Sequence, residues 1–353
     1  MKRILSISFF TLSFFLFSCS PSPSSDTADT SLGKAPVDSG REGSNTILSG
    51  SGPVMLQAFN WSSNHKSRYG LFRPDDSSSA HCDWYTVIKN NSSAIKNTFE
   101  YAWFPPPSDS GSENGYLPRK LNVLDSEYGS SSNLNAAISS IAPSKALADV
   151  VINHRVGTSN WGTFTDPDFG TVSGSNYYAI CSDDEGFYNR TSDMYDCNAK
   201  GNSDTGEGYG SARDIDHQNY EYVQCGIVTW MNDVLKNAGF TGWRYDYVKG
   251  YGGRYVGYYN TKTQADFSVG EYWPTTGFSS SNPAAYYNEI SSWIESTDDT
   301  VDNGQNVSGT KARAFDFVTK GALNTVFGTL STSGTFDYSL LNNEYLLFKK
   351  MPS

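Results

Sequence analysis

At 353 residues, 37% of them hydrophobic, the chain is long enough for one large α/β domain with a substantial core. Its formal net charge of −11 rules out the basic footprint that phosphate-backbone binding needs, so nucleic acid is not an expected partner. Aromatic residues are abundant, with 8 Trp, 23 Tyr and 20 Phe, and such rings serve either a packed core or a surface that stacks on the C–H faces of sugars.

The N-terminus reads as an export signal. Lys2 and Arg3 precede an apolar run over residues 4–17, too short for a membrane span, followed by Ser18-Cys19. Leu16-Phe17-Ser18-Cys19 resembles a bacterial lipobox, which makes Cys19 the lipidation site and residues 1–19 the signal peptide; an ordinary cleaved signal is the alternative. Residues 20–50, rich in Ser, Gly and Pro, read as a flexible tether, leaving 51–353 as the folded domain. The expected location is therefore the bacterial cell envelope or the medium, with membrane contact only through the anchor.

After the tether, strand candidates come at 54–61 and 98–104, the second halted by Pro105-Pro106-Pro107. Further strands are predicted at 146–153, 241–246, 267–273 and 313–317. The clearest helix is predicted over 220–238, with Val223, Ile227, Trp230, Met231, Val234 and Leu235 at helical spacing and Gly239 as its stop. Strand–helix alternation argues for a parallel sheet, and carboxylates at successive strand ends favour a barrel. The polar segment 156–213 is too long for a plain connector and is predicted to form a small subdomain. Cys82, Cys181, Cys197 and Cys225 allow three pairings once Cys19 is set aside; Cys181 and Cys197 share the insertion and are the preferred pair, with free buried thiols as the alternative.

Two of these strands end in acids. Gly242-Trp-Arg-Tyr-Asp246 and Gly270-Glu-Tyr-Trp273 each place one carboxylate where a barrel strand feeds a common face. Such a pair can cleave a glycosidic bond, one acid attacking carbon and the other handing over a proton. Arg244 lies two residues before Asp246, on the same strand face, and can hold it charged. Taken singly, each acid reads better as a surface or ion-paired carboxylate.

The ordered motifs QAFNW, WFPPPS, NGYLP, DVVINHR, ARDIDH, GWRYDYVKGY, VGEYW and FDFVTKGALN resemble the α-amylases of glycoside hydrolase family 13, particularly the plant-like branch. That resemblance implies a (β/α)8 TIM barrel with a small domain inserted after strand three. It implies retaining endo-hydrolysis of α-1,4-glucosidic bonds in starch or a related α-glucan by a monomer, with Asp246 as nucleophile and Glu271 as general acid/base. By the same resemblance His154 and Tyr116 contact the sugar at the cleavage point, and Lys249 contacts the aglycone side. Asn153, Asp214 and the backbone carbonyl of Gly250 correspond to ligands of a structural Ca2+, a hard cation that takes about six to eight oxygens. Asp183, Asp184, Asp204 and Asp216 lie where further calcium ligands would be, and also read as ordinary turn residues. The family's third carboxylate, in an Asn-His-Asp motif after strand seven, has no counterpart among these residues. The barrel is therefore expected to be C-terminally incomplete, with about six of eight strands, and little or no activity is expected of the polypeptide alone. The rival functions are a non-catalytic α-glucan-binding lipoprotein and a glucanotransferase of the same family.

Overall fold

The computed structural model describes residues 53–64, 83–158, 162–170, 176–185, 198–199, 201–302 and 305–333. The signal, Cys19, the tether, Cys82 and Cys197 lie outside them, and so does the Cys181–Cys197 pairing; Cys181 itself is buried, and burial pushes its thiol up. Among the described residues no helix is long and apolar enough to cross a membrane.

Six strands form one parallel sheet in chain order: β1 (Met55–Gln57), β2 (Tyr101–Trp103), β3 (Lys145–Val150), β4 (Phe240–Tyr245), β5 (Ser268–Gly270) and β6 (Arg313–Ala314). Parallel neighbours in chain order, joined by helices, are the topology of a (β/α) barrel, and the described strands make an open arc of one. All six predicted strands are present. The last is shorter than expected because Asp316 accepts the Thr319 amide (2.8 Å) and so caps a helix opening at Phe317.

Helices cover the outer face. They are α1 (Trp84–Asn90), α2 (Ser92–Thr98), α3 (Ser131–Ser140), α4 (Cys225–Trp230), α5 (Gly253–Thr263), α6 (Pro283–Ser296) and α7 (Phe317–Ser333). Asp83 and Ser130 cap α1 and α3 by accepting the amides of Thr86 and Asn133, and α6 starts with Pro283 behind the Asn282 cap. The helix expected over 220–238 is present but not uniform: wide π turns at Tyr220–Gln224 and Met231–Leu235 flank α4. In this arrangement the Trp230 indole donates to the Leu121 carbonyl (2.7 Å) and the Gln224 amide to that of His217 (2.8 Å). The helical segment stops at Gly239, whose φ of +105° favours glycine.

Strand alternation sets what β4 shows to each side. Trp243 and Tyr245 face α5, donating to Thr263 Oγ1 (2.8 Å) and Asn260 Oδ1 (3.0 Å), which turns Arg244 and Asp246 the other way. On β5, Gly270 lets α6 pack closely, since a Cβ there would come within 2.2 Å of the Trp293 ring. The insertion is tied to the barrel by pairing of His154–Arg155 with Arg213–Asp214. Arg155, fully buried, donates to the carbonyls of Arg119, Thr165 and Pro167 and so fastens two loops at once.

Candidate active site

Register brings the acids together. Arg244 on β4 pairs with Asp149 on β3 and Val269 on β5, and Tyr245 pairs with Gly270. One residue further, the Asp246 amide donates to the Val150 carbonyl (3.0 Å) and the Glu271 amide to that of Tyr245 (2.9 Å), so the two acids leave their strands at the same level. Arg244 then grips both. Its Nη1 donates to Asp149 Oδ1 (2.7 Å) and Asp246 Oδ1 (2.8 Å), and its Nη2 donates to Glu271 Oε2. The guanidinium also lies 4.6 Å from the Trp103 ring centroid.

Asp149 anchors the cluster from below. Its second oxygen accepts from the Tyr116 hydroxyl (2.8 Å) and the Trp103 indole (3.1 Å). Sequence reasoning gave Asp149 no role, although an acid inside the apolar run 146–152 signals a buried charge with a partner. The outer oxygen of Glu271 accepts from the Trp273 indole (3.0 Å), whose ring stacks on Phe317 at 3.8 Å.

One guanidinium cannot neutralise three carboxylates. Burial is the largest influence on Asp246 and pushes it well up; Arg244 opposes that shift, while Glu271 and Asp149 add to it. Asp149 is raised for the same leading reason, again against the pull of Arg244. Burial works against the charge on Arg244 itself, but the surrounding acids outweigh it and keep the guanidinium protonated. The cluster thus binds a proton more readily than separate carboxylates would, which is what a site needs if one acid donates while its neighbour attacks.

The other residues singled out from the sequence are placed differently. Tyr116 borders the cluster, with its ring 6.1 Å from that of Trp61. His154 is 1% exposed and lies flat under Tyr209, with ring centroids 3.8 Å apart. Its Nε2 sits 2.9 Å from the Tyr116 carbonyl, which can only accept, so the proton is on Nε2 and Nδ1 accepts from Asn153 (3.3 Å). Burial lowers the imidazole to about 4, so it is neutral and committed to the wall of the site. Lys249 pairs with Glu207 of the insertion (2.8 Å), a partner with no sequence signal, and Glu207 also accepts from the Thr275 hydroxyl (2.7 Å).

Beside this site the oxygens crowd. Asn153 Oδ1 is buried with no hydrogen-bond partner, as is Asp204 Oδ2. Gly250 lies so close that a Cβ there would come within 1.9 Å of Asn153 Oδ1. Asp214, beside Asn153 Nδ2 (3.2 Å), is pushed up to about 9 and Asp204 to about 6, burial leading in both. Asp184, Glu185 and Asp214 form one acidic cluster, in which Glu185 is a member the sequence did not reveal. Three of the additional candidates also have partners within the protein. Asp184 pairs with Arg213 (2.5 Å) and accepts the Asp214 amide (2.9 Å). Asp216 accepts from Asn202 and Gln218, and Asp183 accepts the Asp204 amide.

Two relatives from Arabidopsis thaliana match across most of the chain. Identity is 31% over 294 residues with Alpha-amylase 3, chloroplastic, covering 79% of this chain and 28% of that protein. With Probable alpha-amylase 2 it is 32% over 279 residues, covering 76% of this chain and 57% of that one. The chain is an α-amylase-like protein. It spans little more than half the length of one of these family members and under a third of the other. No protein-family model matches. The solved structure of an α-amylase from Malbranchea cinnamomea shares the fold, with a TM-score of 0.53 at 18% identity, covering 84% of this chain and 58% of that one.

Proposed function

We propose that the chain supplies the catalytic pair of a retaining α-1,4-glucan hydrolase acting on starch or a related α-glucan. The observation that carries this reading is the single guanidinium of Arg244 holding Asp246 and Glu271 at one level. Two carboxyl groups on one guanidinium suit the spacing of about 5–5.5 Å of a retaining pair better than the about 6.5–9.5 Å of an inverting one.

Asp246 attacks the anomeric carbon as the bond to the leaving oxygen breaks, and Glu271 gives that oxygen its proton. A glycosyl ester on Asp246 results. Water then attacks the same carbon and passes a proton to Glu271, the ester bond breaks, and the anomeric configuration is retained. Arg244 steadies Asp246 as an anion before attack and after release. Tyr116 and Trp103 hold Asp149, and through it Arg244, in place. Trapping the glycosyl ester on Asp246 is the experiment that tests this function.

A hard cation fits the oxygen cluster beside the site, because Asn153 Oδ1 and Asp204 Oδ2 are buried acceptors without donors. Asn153, Asp214 and the Gly250 carbonyl would hold Ca2+, with Asp204 alongside. The ion would neutralise acids that burial and mutual repulsion now force toward protonation. Without it, raised carboxyl groups give stability that is present at low pH and lost as pH rises, between the ordinary carboxylate range and about 9 for Asp214. Calcium is therefore expected to raise the melting temperature, EGTA to reverse this, and the rise to be larger at pH 8 than at pH 5. Calorimetry checks it: Asn153→Ala should abolish the increment, and an increment that survives there contradicts the assignment. Export and lipid attachment at Cys19 belong to the same reading and are supported by the pattern of residues 1–19.

A further inference from the structure

The residue after Asp246 turns the chain in an unusual way. Tyr247 has a φ of +42°, in the left-handed region that a bulky side chain seldom occupies. Such a conformation persists only where its surroundings fix it. Segment 205–209 of the insertion does so, meeting the loop 247–252 at successive points. The Gly252 amide donates to the Thr205 hydroxyl (3.0 Å), the Glu207 amide to the Lys249 carbonyl (2.9 Å) and the Tyr247 hydroxyl to the Gly208 carbonyl (3.3 Å). Gly206 permits the approach, since a Cβ there would come within 2.2 Å of the Lys249 carbonyl oxygen. The Tyr209 ring meets that of Tyr247 edge-on, with centroids 5.4 Å apart.

Glu207 extends this strap to the other acid. Its Oε2 accepts from Lys249 (2.8 Å), three residues past Asp246, and its Oε1 accepts from the Thr275 hydroxyl (2.7 Å), four residues past Glu271. Arg244 joins the two acids at their side chains, and Glu207 joins the loops that continue from them. Rate is sensitive to such placement, since a shift of about 1 Å between reacting groups can cost about 10²-fold. Stability is not. The Glu207 side chain is 46% exposed, and an ion pair in contact with water adds little to the fold.

We infer that Glu207 is a positioning residue of the catalytic site, fixing the spacing of Asp246 and Glu271 by tying together the loops that follow them. The inference rests on the proposed glucan-hydrolase reading and adds to it a residue of the insertion, which acts through Lys249 and Thr275.

The full-length protein is reacted with 5-fluoro-α-glucosyl fluoride, with and without added Ca2+, and the glycosyl ester is followed by mass spectrometry. Formation of the ester reports the placement of Asp246, and its release to water reports that of Glu271. The reagent carries no aglycone sugar, so contacts of Lys249 to one play no part. Glu207→Ala should slow both steps about tenfold or more at an unchanged half-saturating concentration, with little change in melting temperature. Glu207→Gln keeps an acceptor for Thr275 and should recover part of the loss. Thr275→Val should slow release more than formation, and should add nothing in the Glu207→Ala background, because both act through one link. Unchanged rates in Glu207→Ala overturn the inference and leave the hydrolase reading standing. So does a higher half-saturating concentration at unchanged rates, a loss in proportion to a fall in melting temperature, or a loss that added Ca2+ restores. If the parent protein forms no ester, the hydrolase reading and the positioning role fall together.

Discussion

Asp246→Asn is expected to lower starch hydrolysis by about 10⁴-fold or more, because an amide cannot form the glycosyl ester and the paired acids act as a unit. Glu271→Gln is expected to cost about 10²–10⁴-fold, the usual worth of a positioned proton donor. The substrates that rescue each variant separate the two roles. An α-glucosyl fluoride needs little help from an acid in leaving, so the Gln variant should still form its glycosyl-enzyme from it. The Asn variant should not. Equal rescue of both would reverse or dissolve the assigned roles. The geometry makes the distinction sharp, since the Asp246 side chain is 11% exposed on Arg244 while the Glu271 side chain is 25% exposed beside Trp273.

Arg244→Met is expected to destabilise the protein by about 3–5 kcal/mol at neutral pH, the cost of stranding a buried charge without its partner. Here one cation serves Asp149, Asp246 and Glu271, so its removal strips all three of their ion-pair partner, and Glu271 retains only an electrostatic neighbour in Lys320. Burial already raises Asp149 and Asp246 against the pull of Arg244, and the variant removes that pull. Groups raised in the folded state give stability that is present at low pH and lost as pH climbs through their folded value. The deficit should therefore be large at pH 8 and shrink toward pH 4, where the stranded acids are protonated. Urea unfolding at both pH values checks this. A deficit independent of pH would mean that Arg244 contributes packing on Trp103 and not charge.

Much of the arc was legible because each strand is a short apolar run closed by turn residues or proline, a local signal. The acids were legible for the same reason, standing at the ends of two such runs. Register was not, being a property of neighbouring strands: nothing local says that Arg244 sits opposite Asp149, although an acid within an apolar run asked for some partner. His154 shows the same limit. Nothing local says that Tyr209, from a segment more than fifty residues away, stacks on its ring. Glu207 and Glu185 were missed because the insertion has no periodicity to read, and their importance comes from what they meet: Lys249 for one, the acidic cluster for the other. The end of β6 was misjudged by three residues because Asp316, read as part of a strand, caps a helix instead.

The central claim is that Asp246 becomes covalently bonded to the sugar, and mass spectrometry tests it most directly. The full-length chain is incubated with a 5-fluoro-α-glucosyl fluoride, whose slowed second step lets even a sluggish site accumulate its intermediate, and is then digested with pepsin. The account expects one added fluoroglucosyl unit on the peptide containing Asp246, formed by the Glu271→Gln protein and absent from the Asp246→Asn protein. An adduct on another residue, or starch hydrolysis that proceeds with no adduct at all, would contradict it.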